Sequence, residues 1–235
     1  MRRSGLTLAA AAAMLASVPA AAASTDVDAN NPSCPKQLNW STYRQMRFTV
    51  ETVNGARVLK AEGMIDEAVP DRLREALSGN APIDEIWFRS PGGSARSGNE
   101  AGKVIRDAMI PTRIPAGWAC FSSCNFMFMG GPIRYVDQGG QFVVHMFTHL
   151  SDKDAVRAEI KRDADSAIDL IGAVEQDSAL LASEDNDFLI RMGISRKLLT
   201  DVMYQQKAIA DSKDKSTRRC LTPQENVKYN VANAR

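Results

Sequence analysis

Three short segments of this 235-residue chain combine side chains and turns suited to acyl transfer. Ser90-Pro91-Gly92-Gly93 follows the apolar run Ile83 to Phe88 and reads as a tight turn at the carboxyl end of a buried strand. Backbone N–H groups exposed there can hold an oxyanion, because open α/β sheets bind ligands at that edge. Cys120-Phe121-Ser122-Ser123-Cys124 leads into the apolar segment Asn125 to Met129. A serine in this position sits at a helix N-terminus beside a further free N–H, where a nucleophile gains activation. His145 lies within Phe142 to Phe147, a run otherwise apolar enough for a core strand. A buried imidazole needs a polar partner, and a serine hydroxyl is one.

Plainer readings stand beside these. Ser-Pro-Gly-Gly is an ordinary turn, Ser122 and Ser123 have the type that caps helices, and His145 suits a satisfied core position. His145 and His149, the two histidines of the chain, share a face at a separation of four and could ligate a metal. Asp152 and Asp154 are the only close acids and no Cys, Asp or Glu cluster completes a ligand set, so no metal and no cofactor is expected.

The surrounding pattern alternates strand and helix. Phe48 to Val53 and Arg57 to Ile65 flank Asn54-Gly55, a strong hairpin signal. Helices are expected at Val69 to Leu77 and Asn99 to Met109, with strands at Ile83 to Phe88, Arg113 to Ala116, Arg134 to Val136 and Gln141 to Phe147. Ala119 to Ser123 reads as a second small-residue turn. This order is that of a layered α/β domain with parallel strands. Past Ser151, Val156, Ile160, Ala164, Ala167, Ile171 and Val174 mark one face of a long amphipathic helix. Shorter helices are expected at Asp187 to Met192 and Ser195 to Gln205, a loop at Ala208 to Thr217 and a last helical turn at Pro223 to Tyr229.

The chain's start has the form of a cleaved export signal: Arg2 and Arg3, an apolar Leu6 to Val18, then Pro19 and a run of small residues to Ser24. The apolar stretch is shorter than a spanning helix needs, so the expected protein is periplasmic or secreted and has no membrane contact once residues 1–23 are removed. Residues 24–47 then form an N-terminal arm, 48–149 the core, and 150–235 a helical segment completing the same domain. In an oxidising compartment Cys34, Cys120, Cys124 and Cys220 read as disulfides. Three pairings exist; Cys34 with Cys220 and Cys120 with Cys124 is the preferred one, the second bond requiring Cys120 to lie outside the helix that Cys124 enters. A composition of 29 Lys+Arg against 28 Asp+Glu with 44% hydrophobic residues argues for a folded globular protein and gives no electrostatic reason for nucleic acid.

Ser90 to Gly93, Gly98, the Cys-x-Ser-x-Cys segment, Gly130-Gly131, Arg134-Tyr135-Val136 and Val144-His145 occur in an order and spacing that resembles the proteolytic subunit of Clp protease. The likeness lies within the wider Clp/crotonase-like fold, nearest its exported bacterial relatives, and covers residues 57–149 best. It implies a layered β-α-β superhelix with a long handle-type helix, Ser122 as nucleophile, His145 as general base, and the N–H groups of Gly93 and Ser123 as oxyanion hole. It also implies a homo-oligomer acting on peptide or unfolded protein. One position departs: Arg218 stands where the family has the aspartate of its triad, leaving Asp214, then Asp211, as the nearest upstream acids.

Two functional classes follow. One is an exported, ATP-independent serine hydrolase acting as a peptidase; the other is a catalytically impaired relative that binds or scaffolds. An acyl-coenzyme A enzyme and a serine–lysine dyad fit less well, since coenzyme A is cytoplasmic and His145 already fills the base position.

Overall fold

A computed structural model describes residues 27–28, 31–146, 153–206 and 218–234. The expected signal peptide, the loop at Ala208 to Thr217, and Asp211, Asp214, His149 and Asp152 lie outside the described residues. The chain folds as mixed α/β with mostly parallel strands and a long helix, as the sequence pattern implied.

Strands β1 (Val27–Asp28) and β2 (Asn31–Pro35) pair within the N-terminal arm. Strands β3 (Arg47–Val53) and β4 (Ala56–Glu62) form the expected hairpin, and Asn54 and Gly55 both take positive φ, 52° and 83°, as a two-residue turn of right twist requires. Helix α1 (Val69–Gly79), opened by Pro70 and by Asp71 in its first turn, crosses to β5 (Glu85–Arg89). Helix α2 (Ala95–Ala108) begins a turn earlier than its apolar periodicity suggests, because the Ser94 hydroxyl accepts from the Ser97 N–H and starts it there. Strand β6 (Thr112–Ile114) follows, then β7 (Ala119–Phe121), α3 (Cys124–Met129), β8 (Arg134–Val136) and β9 (Gln141–Val144).

Five strands order as β3-β4-β5-β6-β8, all parallel beyond the opening hairpin. A smaller sheet of β7, β9 and the two-residue β10 (Arg219–Cys220) has β7 and β9 parallel and β10 antiparallel to β9. The expected turn at Ala119 to Ser123 is therefore a strand for its first three residues: buried Ala119 and Cys120 pair with Gln141 and Phe142. The two sheets touch where Ser90 bridges Cys120.

The single long helix expected past Ser151 is two, α4 (Lys153–Arg162) and α5 (Ala164–Met192), because Asp163 takes an extended conformation and caps α5 through the Ser166 N–H. The expected helix at Asp187 to Met192 is the last part of α5, which ends at Gly193 in the left-handed region. Ser195 to Gln205 contains a π-helical turn, Leu198–Val202, and a 3₁₀ turn, Met203–Gln205. The last helix, α6 (Pro223–Lys228), has a capping box of Thr222 and Glu225.

The core lies between the larger sheet and helices α2, α3 and α5: Leu59, Ile86, Phe88, Ile105, Phe128 and Phe188 are all nearly or wholly buried. Arg134 is buried too, and its guanidinium donates to the carbonyls of Gly131, Asn230 and Val231 at 2.7–2.9 Å, tying the C-terminal residues to β8. Desolvation there lowers its pKa to about 10, still charged at neutral pH. Both preferred disulfides are present: Cys34–Cys220 joins the arm to β10, and Cys120–Cys124 joins β7 to the first residue of α3. Cys120 thus lies outside the helix, which is what the short pairing required.

Candidate active site

The turn after β5 is fixed by the Ser90 hydroxyl, which donates to the Gly63 carbonyl at 2.6 Å and accepts from the Gly92 N–H at 3.1 Å. Gly92 and Gly93 have φ of +84° and +150°, which side-chain-bearing residues rarely adopt. Space excludes a side chain as well. A Cβ on Gly92 would sit 2.7 Å from the Ser122 Cβ, and one on Gly93 would sit 2.1 Å from the Ile65 carbonyl oxygen. Ile65 donates to the Gly92 carbonyl and accepts from the Ser94 N–H, which leaves the Gly93 N–H out of that pairing. Gly93 is exposed, and its neighbour Gly92 presses on the serine segment.

Ser122 stands at the break between β7 and α3. Its φ is +59°, unusual for a residue other than glycine, and its N–H donates to Val143 in β9 at 3.3 Å. The buried Asn125 amide donates to the same carbonyl at 2.7 Å, pinning the start of α3 to β9. His145 follows directly on β9 instead of lying inside it, because the pairing with β7 ends at Val143. The imidazole is accordingly half-buried, and its Nε2 is 2.7 Å from the Ser122 Oγ. If the hydroxyl donates, the imidazole is the neutral tautomer with its proton on Nδ1.

Ser123 takes the N-cap position of α3 but makes no capping hydrogen bond; it is 2% exposed, and its hydroxyl has no partner among the described residues. The hydroxyl paired with histidine is therefore that of Ser122, and neither serine caps the helix through its side chain. Gly98 of α2 lies against Ser123, where a Cβ would approach its carbonyl oxygen to 2.5 Å. The four segments singled out in the sequence, Ser90 to Gly93, Gly98, Cys120 to Cys124 and His145, thus converge at one end of the two sheets. Among the described residues no group of three His, Cys, Asp or Glu side chains is placed to hold a metal ion.

Sequence reasoning missed an aromatic wall behind the imidazole. The Phe121 ring lies 4.7 Å from that of His145, and Trp40, from the arm, stacks on Phe121 at 5.5 Å. Arg218 sits 5.6 Å from the Trp40 ring; since Arg219 pairs with Val144, the register sets Arg218 opposite His145. The arginine noted in the sequence thus lies against Trp40 at the same sheet edge. Phe121 lies inside the serine motif but carries no polar atom, and Trp40 comes from the distant arm, so the pattern of reactive side chains does not signal the wall.

Chemically the arrangement offers a hydroxyl with an adjacent base, beside a glycine turn whose Gly93 N–H has no hydrogen-bond partner among the described residues. A cleft of about 870 Å³ lies elsewhere, between Tyr135 to Gln141 and Leu221 to Val227, and holds neither Ser122 nor His145.

A mixed α/β protein with a serine–histidine pair at the edge of its sheets is the class that fold and geometry define. No family model matches the chain, and no curated protein matches it. Among solved structures it is similar to ClpP1 from Listeria monocytogenes, wild type and a point mutant, each at 13% identity with a TM-score of 0.48, over 75% of this chain and 88% of that one. It is similar also to a mutant of the 1510-N membrane-bound stomatin-specific protease, at 14% identity and a TM-score of 0.42, over 75% of each chain. Likeness at this level assigns neither activity nor substrate.

Proposed function

We propose that the protein is a serine hydrolase, acting as a peptidase outside the cytoplasm without ATP. The observation that carries this reading is the 2.7 Å contact between Ser122 Oγ and His145 Nε2 in a turn pressed against Gly92. In this mechanism His145 takes the Ser122 proton as the oxygen attacks a carbonyl carbon, and the resulting oxyanion is held by the N–H groups of Gly93 and Ser123. The imidazolium returns the proton to the leaving amine, and water, activated by the same imidazole, hydrolyses the acyl-enzyme. Peptide or unfolded protein as substrate, and self-association into a homo-oligomer, rest on the sequence resemblance. Export rests on the signal-like start and agrees with two buried disulfides.

A second reading, a binding or scaffolding protein, is favoured by Arg218. A guanidinium cannot accept the Nδ1 proton or stabilise an imidazolium as a carboxylate does.

Reaction of the purified, oxidised protein with a fluorophosphonate tests the choice. Labelling at Ser122 that disappears in His145→Ala is expected of the hydrolase. A folded protein that stays unlabelled supports the binding reading, and adduct formation on Ser123 refutes the assignment of the nucleophile.

A further inference from the structure

The turn that bears Ser122 is closed on itself by a covalent bond. Cys120 in β7 and Cys124 at the start of α3 are joined across a separation of four residues, with their Cα atoms 5.4 Å apart and both side chains fully buried. We propose that Cys120 and Cys124 are positioning residues, their disulfide holding Ser122 in the conformation in which it meets His145; this rests on the reading of that pair as nucleophile and base.

A bond across so few residues removes little entropy from the unfolded chain, so global stabilisation is a weak account of it. The long-range staple of the molecule is Cys34–Cys220, with a separation of 186. The short bond does something local. Ser122 holds a φ of +59°, a conformation that persists only where its surroundings over-determine it. Its flanks are a three-residue strand and a six-residue helix, both too short to impose such a geometry unaided. Cross-linking Cys120 to Cys124 fixes the two ends of the turn. Cys120 is also the bridge partner of Ser90, so the bond links the serine turn to the glycine turn beside it. Phe121, within the same loop, touches the imidazole. One bond therefore constrains the hydroxyl, the ring behind its base and the adjoining glycine turn, and its loss relaxes Ser122 towards negative φ and away from Nε2.

Fluorophosphonate labelling of Ser122, resolved into a limiting rate and an apparent affinity, tests this. In Cys120→Ser/Cys124→Ser the limiting rate is expected to fall by about 10²-fold, the scale of a misplacement of roughly 1 Å, with affinity for the probe within about twofold of wild type. Cys34→Ser/Cys220→Ser serves as control; it is expected to lower the melting temperature more and the limiting rate far less. Should the first variant fail to fold, the wild-type protein is treated with a dithiol, which reduces the disulfide to two thiols and itself becomes a cyclic disulfide. Alkylation and mass mapping then report which bond has opened. Loss of labelling that tracks the Cys120–Cys124 bond and returns on reoxidation supports the proposal. An unchanged limiting rate, in the folded variant or after that bond is shown to be open, overturns it while leaving the hydrolase reading intact. Absence of labelling in oxidised wild-type protein defeats that reading instead.

Discussion

Arg218 is the position where the sequence and the geometry meet most directly. The sequence resemblance leads one to expect an acid here, and the pairing of β10 with β9, continued by one residue, sets it across from His145. Losing the orienting aspartate of a serine-protease triad costs about 10⁴ in turnover and leaves nucleophile, base and oxyanion hole in place. Arg218→Asp is therefore expected to speed Ser122 acylation by about tenfold or more. Stopped-flow labelling or ester turnover would measure it, and an unchanged or slower rate would show that this position does not orient the imidazole. The meeting of Ser122 and His145 follows what their motifs suggested, while the part of Gly93 in holding an oxyanion belongs to the proposal. Phe121 has no polar atom to draw notice, and Trp40 reaches the site only through stacking on it. Asp211 and Asp214, the nearest upstream acids, lie outside the described residues.

Among the elements, those with strong local codes are the ones the sequence discloses. The Asn54-Gly55 hairpin, α1, β8 and α6 appear close to where turn residues and periodicity set them. Strand β7 and the two-residue β10 are too short for any periodicity, and only the partner β9 makes them strands. The break between α4 and α5 was hidden because Asp163 caps from within an uninterrupted apolar stripe. Helix α5 hides a further feature. Leu181, Phe188, Leu189 and Met192 form its core-facing stripe, and Asp185 falls on the same stripe. Burial, with Glu184 adjoining, pushes the Asp185 carboxyl up to about 7, and burial together with Asp185 raises the Tyr204 hydroxyl. In the unfolded chain this carboxyl ionises near its ordinary value of 3.8; in the folded protein it keeps its proton to about 7. Between those values the native state binds the extra proton, so stability falls as pH rises through the window, and the loss is complete above it. Asp185→Asn is expected to abolish this slope, raising stability at pH 8 by about 4 kcal/mol and changing it little near pH 4. Thermal unfolding across that range would measure it, and parallel curves for variant and wild type would refute the assignment.

Taken whole, the molecule buries one face of α5 and leaves the other in solvent. Ile160 on α4 and Ile168 and Ile171 on α5 are each more than half exposed, an arrangement uncommon for large aliphatic side chains unless another surface covers them. No described helix is long and apolar enough to cross a membrane. Self-association is the reading proposed above, and light scattering tests it: Ile168→Asp/Ile171→Asp is expected to lower the measured mass towards that of a single chain without loss of helical signal. A mass identical to wild type would show that this face is not the contact.

Cys34 and Cys220 are joined across most of the chain. A single backbone cut anywhere between them leaves both pieces covalently attached. On a gel run without reductant such nicked molecules would migrate as one species, and only reduction would reveal the fragments. Processing within this interval would thus be invisible on such a gel, while the sheet edge bearing Ser122 and His145 could remain assembled after the cut.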